Sequence, residues 1–359
     1  MTDQRPLPDG ALRWLDASGP QSTLVLSSRV RLARNLSHVP FWGHNAPADR
    51  ETVVHTVAEA ARATPGFDQA ALYRLDTLSR TSRLWLHEHQ LVSRDLAGVD
   101  AAAHVRSGAA LLLGQSASVM LNEEDHLRLQ ALRSGFALDA AYADADRLDE
   151  ALGHRISFAF HPEFGYLTSC PTNVGTGLRA SVLIHLPGLV LTREIAKVLQ
   201  GLAQVGLTYR GLYGEGSEVL GNLFQLSNQT TLGKTEGELL DHLGRLVRQV
   251  IDYEERARDV LRRDAPHALE DKVWRAYGLL RHARTLSFDE ALNLLSGVRL
   301  GVGMDVLPAI PLPLLNRLLV TAQAAHVARE AGIELADESL GMHRATLIRR
   351  LLEEEGEHR

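Results

Sequence analysis

The chain has 359 residues, of which 45% are hydrophobic and 23% charged, as is ordinary for a folded globular protein of two domains. Its net charge of -6 and aromatic content of 5% favour neither an overall basic field nor a base-stacking surface, so we expect no nucleic-acid partner. The single cysteine excludes an internal disulfide, and the lack of a secretory signal or a long apolar run predicts a cytoplasmic protein without membrane contact.

The first part of the chain, from about residue 24 to residue 192, mixes short strand-like runs with helical runs. Residues 24–26 and 181–186 are β-rich and end at polar residues, Pro or Gly, which is typical of strands. Residues 51–62 and 124–134 predict helices. Because strands and helices do not alternate regularly, the sequence favours an α+β fold over a doubly wound sheet.

The chain changes character near residue 264, beyond which almost every segment has helical spacing. Residues 264–267 form a break around a proline, and Ser287 with Glu290 forms a capping box before an apolar run. We therefore predict a helical C-terminal domain over residues 264–359. Its apolar stripes indicate either an ordinary core or, in part, the surface of a homodimer.

Two familiar motifs fail on their spacing. Residues 233–235 read Gly-Lys-Thr, like the end of a Walker A loop, but Asn228 stands where that loop requires a glycine. The His-Glu-His at residues 87–89 lacks the spacing that places two imidazoles on one helix face around zinc. The sequence therefore predicts no dedicated metal-binding residues.

Arg29 and Arg31 alternate with apolar residues in the segment SSRVRLARN, residues 27–35. On a strand their side chains would lie on one face, where two guanidinium groups repel each other unless an anion lies between them. The pair is therefore either a solvated basic face or part of an anion site.

Three consecutive carboxylates precede an arginine in NEEDHLR, residues 122–128. In one reading they complement the N-terminal dipole of a helix. In the other, Glu124 is a catalytic base, and Arg128 lies one helical turn further on and faces the same way.

The only cysteine, Cys170, lies in the Pro- and Gly-rich segment CPTNVGTGLRAS, directly before a strand-like run. A structural free cysteine prefers an apolar core, whereas a loop position beside Arg179 is typical of a reactive thiol.

Glu215 lies between two glycines in RGLYGEGSE, residues 210–218, where the backbone is flexible or closely approached by a ligand.

The four segments together supply two candidate catalytic carboxylates, a thiol and a set of five arginines: Arg29, Arg31, Arg128, Arg179 and Arg210. The planar guanidinium group of arginine matches phosphate oxygens bidentately. Side chains alone could therefore hold the triphosphate of ATP without a phosphate-binding loop.

The order of these segments resembles that of the signature blocks of the phosphagen kinases, and still more that of their bacterial relatives, the protein arginine kinases. The resemblance covers about residues 14–255 and implies an antiparallel sheet flanked by helices. It implies that Glu124, Glu215 and Cys170 hold and activate the acceptor guanidinium. The residues that it assigns to the nucleotide are Ser27, Ser28, Arg29, Val30, Arg31, Arg128, Arg179, Ala180, Ser181, Val182, Leu183, Arg210, Gly211, Leu212, Tyr213, Gly214 and Glu215.

The same resemblance implies ATP-dependent phosphorylation of accessible arginines in proteins, with Mg²⁺ carried by the nucleotide and a catalytic domain over residues 1–255. The implied role is to mark proteins for regulation or proteolysis in a stress response. The implied partners are protein substrates, an activator protein, Clp-type protease machinery and a second copy of the chain in a homodimer.

Two other functions compete with this reading. A small-molecule guanidino kinase would carry a helical domain before its SSRVR-like block, but only 26 residues precede Ser27. A non-catalytic regulator would not need Glu124, Glu215 and Cys170, all of which are intact.

The chain departs from the family pattern at two places. Gln90 stands where the family has a nucleotide-contacting histidine, so that position is left out of the site. Residues 340–345 keep only the second half of an RDxxRA motif that binds phosphoarginine, so we expect Arg344, as a lone exposed charge, to bind it weakly. Because all five arginines precede residue 211, we also expect a chain without residues 264–359 to bind ATP.

Overall fold

The computed structural model describes residues 12–100, 105–211, 219–308 and 310–357. The strands in these ranges are β1 (Val25–Arg34), β2 (Ala71–Arg74), β3 (Ala110–Leu113), β4 (Ala117–Leu121), β5 (Leu127–Ser134), β6 (Phe160–His161), β7 (Gly165–Tyr166), β8 (Leu178–His185), β9 (Leu207–Arg210) and β10 (Leu223–Asn228). The α-helices are α1 (Pro47–Arg62), α2 (Arg80–Glu88), α3 (Arg94–Ala97), α4 (Leu138–Gly153), α5 (Pro187–Leu191), α6 (Ile195–Gln204), α7 (Glu236–Asp264), α8 (Pro266–His282), α9 (Phe288–Gly303), α10 (Leu312–Thr321), α11 (Ala324–Ala331) and α12 (Leu340–Glu357).

Eight of the described strands form one antiparallel sheet in the order β2-β3-β4-β5-β1-β8-β10-β9, and β6 pairs with β7 in a separate hairpin. This architecture confirms the predicted α+β class with an antiparallel sheet flanked by helices. The strand runs expected at residues 24–26 and 181–186 belong to β1 and β8. The helix expected at residues 51–62 is α1, which starts earlier because Pro47 occupies its first turn.

One face of the sheet forms the main hydrophobic core. Successive side chains of a strand point to opposite faces, so Val30 and Leu32 of β1 enter this core while Arg29 and Arg31 point the other way. Helices α1, α4 and α7 cover the core face with side chains such as Val57. The strands at the centre of the sheet are therefore fixed by burial on one side, which leaves the opposite side available for polar groups.

The opposite face is covered at two places and left open between them. Helices α2 and α3 pack over β3 and β4 in a second cluster that contains Leu86 and Met120. The C-terminal helices pack over Leu26, Leu183 and Leu223 in a third cluster. The cleft described below lies between these two covered regions.

The helix predicted over residues 124–134 is wrong, because residues 127–134 form strand β5. The segment places Leu127, Leu129 and Ala131 in the core, which is the two-residue period of a strand. Asn122 adopts a left-handed conformation (φ 57°) and its N–H donates to the carbonyl of His126, closing a turn between β4 and β5. Because the chain turns here, no helix begins at these acidic residues. They therefore do not complement the dipole of a helix N-terminus.

The C-terminal part of the chain is helical, as predicted. Helix α7 ends at Asp264 and α8 begins at Pro266, and the side chain of Ser287 accepts a hydrogen bond from the N–H of Glu290 at the start of α9. The guanidinium group of Arg299 donates to Asn316 and to the carbonyl of Ser22, which ties these helices to the N-terminal segment. No helix among the described residues is long and apolar enough to cross a membrane.

The arginine that remains in residues 340–345 is buried, and the expectation of an exposed charge is wrong. Arg344 is only 4% exposed. Its Nε donates to the carbonyl of Ala322 at 2.6 Å, and its Nη1 donates to the carbonyl of Leu286 at 2.8 Å. Arg344 therefore joins α12 to the end of α10 and to the segment before α9.

Candidate active site

A cleft of about 530 Å³ lies on the open face of the sheet, and the five predicted arginines line it. They come from four strands: Arg29 and Arg31 from β1, Arg128 from β5, Arg179 from β8 and Arg210 from β9. The strand register places Arg31 directly opposite Arg179. Because β5, β1 and β8 are neighbours in the sheet, residues far apart in the sequence form one basic floor.

The guanidinium groups of the five arginines, which form the basic floor of the cleft, repel one another. Burial, followed by the charges of neighbouring arginines, lowers the pKa of Arg29 to about 10 and also lowers the pKa of Arg31. The Nε atom of Arg31 is buried and has no hydrogen-bond partner among the described residues. A buried guanidinium nitrogen without an acceptor, among other cations, favours an anionic ligand with several oxygens.

The acidic turn between β4 and β5 lies at the edge of this floor. Glu123 is buried and accepts a hydrogen bond from Arg128 Nη1 at 2.6 Å. Burial alone would raise the pKa of Glu123, but the charge of Arg128 and the N–H of Glu124 bring it below its ordinary value. Glu123 is therefore an anion that positions Arg128.

Glu124 differs from its neighbour in exposure and in protonation. Its Oε2 lies 3.6 Å from Arg128 Nη2, and its side chain is 42% exposed. Burial raises the pKa of Glu124, and the charges of Glu123 and Asp125 add to this, while Arg128 and Cys170 oppose it. A carboxylate with a raised pKa that faces a cleft is well suited to accept a proton.

The loop that carries Cys170 is fixed against the acidic turn. Asp125 is buried, and its Oδ1 accepts hydrogen bonds from the N–H of Ser169 at 2.7 Å and from Asn35 at 2.8 Å. As a result Cys170 lines the cleft together with Glu124, and its Sγ lies 3.0 Å from Oγ1 of Thr172. The structure thus brings together Glu124 and Cys170, two of the three predicted catalytic residues. Glu124 lies in a turn before β5, and not on the helix predicted over residues 124–134.

Other predicted residues lie at different places. Glu215, Leu212, Tyr213 and Gly214 lie outside the described residues, and Gly211 is buried at the end of β9. The side chains of four residues point away from the cleft, which leaves only their backbone available to it: Ser28, Val30, Ala180 and Val182. Ser27, Ser181 and Leu183 line a small cavity beside Arg29.

Several polar cleft residues are absent from the predicted site, among them two glutamines, a histidine and an asparagine. His87 and Gln90 line the cleft from the end of α2, and Gln90 accepts a hydrogen bond from Arg29 Nη1 at 3.1 Å. Asn173 comes from the Cys170 loop, and Gln225 of β10 is paired with Arg210. The alternation of polar and apolar residues in β10 is the signal that could have identified Gln225.

Comparison with known proteins supports the chemistry of this cleft. Residues 52–257 match the family described as ATP:guanido phosphotransferase, C-terminal catalytic domain, and residues 266–359 match the protein-arginine kinase McsB C-terminal domain. A protein-arginine kinase of Moorella thermoacetica is 46% identical over 345 residues, which are 95% of this chain and 97% of that protein. A protein-arginine kinase of Symbiobacterium thermophilum is 46% identical over 340 residues, 94% of this chain and 95% of that protein. The chain belongs to the protein-arginine kinase family.

Solved structures place the fold of this protein-arginine kinase among guanidino kinases. A duplicated taurocyamine kinase from Schistosoma mansoni, with bound components of a transition-state analogue, superimposes with a TM-score of 0.59 at 27% identity. The match covers 70% of this chain but only 35% of that duplicated protein. A lombricine kinase, at 24% identity and a TM-score of 0.57, covers 70% of this chain and 71% of its own and supports the fold alone.

These findings confirm the predicted family, fold class and enzyme class. Membership of the ATP:guanido phosphotransferases implies ATP as the phosphoryl donor. The cleft fits a nucleoside triphosphate, because five arginine side chains line one volume.

Proposed function

We propose that this protein-arginine kinase transfers the terminal phosphoryl group of MgATP to arginine side chains of other proteins. The observation that carries the proposal is a floor of five arginines with a carboxylate and a thiol at its edge. The arginines would neutralise the triphosphate, and Glu124 and Cys170 would contact the acceptor guanidinium. Glu215 would be a second carboxylate on that guanidinium, as the family resemblance implies.

The proposed reaction requires the acceptor to lose a proton. A guanidinium holds its proton with a pKa of ~12.5–13.8, and its protonated nitrogen is a poor nucleophile. Glu124 would orient the attacking nitrogen and take one proton as the new N–P bond forms and the bond from phosphorus to the ADP oxygen breaks. The arginines of the floor would stabilise the charge on the transferring group.

Mg²⁺ would reach the site on the nucleotide, bound to phosphate oxygens and several waters, which is its usual mode in such enzymes. The residues of this chain would then act on the phosphates rather than on the metal. Arg31 and Arg179, which lie side by side on the neighbouring strands β1 and β8, would contact the same phosphate chain.

We propose proteins rather than free guanidino compounds as acceptors because the similar curated proteins are protein-arginine kinases over nearly their whole length. In this proposal residues 1–255 carry the chemistry and residues 264–359 form a helical unit. A homodimer through that unit is part of the proposal, as the family resemblance implies. The family relationship further supports an activator protein and Clp-type protease machinery as partners, with marking of proteins for regulation or proteolysis under stress as the role.

The test is to incubate the enzyme with MgATP, an arginine-rich unfolded protein and free arginine in the same reaction. We expect acid-labile phosphate on arginines of the protein, mapped by mass spectrometry, and little phosphorylated free arginine. Glu124→Gln is the control that keeps the fold but lacks the base. Preferential phosphorylation of free arginine would instead support the small-molecule kinase.

A further inference from the structure

The end of helix α2 faces two different parts of the molecule. His87 and Gln90 line the nucleotide cleft, whereas Glu88 and His89, between them, are buried against the C-terminal helices. Residues 87–90 therefore form a short bridge between the cleft and residues beyond 264. None of the five arginines provides such a connection, because their side chains point into the cleft.

Glu88 binds the start of helix α11. Its Oε1 accepts the N–H of Ala325 at 2.8 Å, and its Oε2 accepts the N–H of His326 at 3.0 Å. The Oε2 also lies 2.6 Å from Nδ1 of His326. One carboxyl group thus satisfies the amide groups at the first turn of α11, which otherwise have no partner within the helix.

A series of three hydrogen bonds continues from Glu88 through His326 to His89 and the carbonyl of Trp85. The Nε2 atoms of His326 and His89 lie 3.2 Å apart, and Nδ1 of His89 lies 2.9 Å from the Trp85 oxygen. A carbonyl can only accept, so Nδ1 of His89 carries the hydrogen of the contact with Trp85. The contact between the two histidines and the contact between His326 and Glu88 need one hydrogen each, which makes three in all. Burial raises the pKa of Glu88 to about 7, which agrees with a carboxyl group that shares this third hydrogen.

The cleft end of the bridge is equally well fixed. Gln90 has a left-handed backbone conformation (φ 64°), which a residue other than glycine adopts only when its surroundings hold it there. Its carbonyl accepts from Gln130 at 2.8 Å, and its side-chain oxygen accepts from Arg29 Nη1 at 3.1 Å. A shift of Glu88 would therefore move the group that orients Arg29.

We propose that Glu88 is a positioning residue for the nucleotide site, through which helix α11 holds residues 87–90 so that Gln90 orients Arg29 toward the phosphates. The proposal rests on the proposed function, because it takes the cleft to be the ATP site. A satisfied buried network is rigid, whereas loss of one member leaves buried polar groups without partners. The C-terminal unit thus acts on the nucleotide site through Glu88, although none of the residues that the structure describes beyond 264 lines the cleft.

The variants to compare are Glu88→Ala, Glu88→Gln and the control Glu330→Ala. The control removes an exposed carboxylate of α11, the helix that Glu88 binds; this carboxylate is paired with Arg350 on the surface. In Glu88→Ala we expect the Kd for MgATP, measured by calorimetry, to rise about tenfold, the worth of one hydrogen bond to a charged group. The KM for the protein acceptor, which binds beside Glu124, should change far less.

Glu88→Gln is the conservative rescue. The amide oxygen can still accept the N–H of Ala325, and the amide NH₂ can donate to Nδ1 of His326, so we expect a Kd between those of the wild type and the alanine variant. A role in stability alone would lower the melting temperature, and it would change the Kd for MgATP and the KM for the protein acceptor to a similar extent. A folded Glu88→Ala enzyme with the wild-type Kd for MgATP would overturn the proposal.

The wild-type enzyme offers a second test that does not depend on the folding of any variant. Because coupling between two sites is reciprocal, MgATP should slow hydrogen–deuterium exchange of the Ala325 and His326 amides, which donate to Glu88. Unchanged exchange on saturation with MgATP would overturn the coupling while leaving the proposed function intact. Failure of the wild type to bind MgATP at all would instead refute the proposed function.

Discussion

Replacing Glu124 with glutamine removes the proposed base while the rest of the acidic turn stays in place. Arg128 lies 3.6 Å from Glu124 but 2.6 Å from the buried Glu123, so it keeps its position when Glu124 loses its charge. The amide has the size of the carboxylate and can still contact Cys170, but it does not take up a proton at neutral pH. We therefore expect kcat to fall about 10²–10⁴-fold, with little change in the KM for MgATP.

The matched control for this variant is Glu123→Gln. It removes the charge that positions Arg128 and should raise the KM for MgATP more than it lowers kcat. Phosphoarginine formed on an unfolded protein, measured under steady-state conditions, gives both constants.

The pH dependence of kcat supplies an independent criterion. A base acts only when deprotonated, so the rate falls as the pH drops through its pKa, and burial of Glu124 places this fall above ~4.3, the ordinary value for glutamate. The residual activity of Glu124→Gln should lack that fall. A variant that keeps more than about half of the wild-type kcat, or keeps the acid limb, would refute the assignment of Glu124 as the base.

Four further outcomes are expected. Cys170→Ser should lower kcat, and alkylation of the wild type should do the same; an unchanged rate after alkylation would make the thiol structural. Asp125→Asn should loosen the Cys170 loop at a cost of about 1–3 kcal/mol in the free energy of unfolding, seen by urea denaturation, because the amide offers one acceptor oxygen where the carboxylate offers two, and one of the donors on Ser169, Asn35 and Asn173 loses its partner. Arg344→Ala should cost about 2–6 kcal/mol in the same assay, since two buried carbonyls lose their donor at about 1–3 kcal/mol each. Contrary to the expectation from the sequence, a chain ending at residue 263 should bind MgATP more weakly than the full chain, measured by calorimetry, because Glu88 then has no α11 to bind.

Strand periodicity predicts the part of the basic floor formed by Arg29 and Arg31, but not Arg128, where the sequence predicts a helix and the structure has strand β5. Arg29 and Arg31 alternate with buried residues, so a strand at that place puts both guanidinium groups on one face. The same rule explains why Val30, between them, lies in the core although it belongs to the same signature block. A block of consecutive residues on a strand cannot all face one ligand.

Two features could not be predicted because they depend on contacts between distant segments. The acidic residues at 123–125 favoured a helix over residues 124–134, yet the left-handed Asn122 and the pairing of β5 with β1 and β4 override that local preference. The role of Glu88 depends on α11, more than 200 residues further along the chain. No local pattern shows that a carboxylate will bind the start of a helix that far away.

The paired arginines Arg31 and Arg179 also make the folding stability of the enzyme depend on the concentration of MgATP. Like charges directly opposite each other on neighbouring strands destabilise a sheet, and dissolved salt screens that repulsion. We therefore expect thermal stability to rise with ionic strength, and a hundredfold excess of MgATP over its Kd to add about 2.7 kcal/mol. In a starved cell, falling ATP would shorten the folded lifetime of this kinase as well as its turnover, so that the enzyme declines together with its donor.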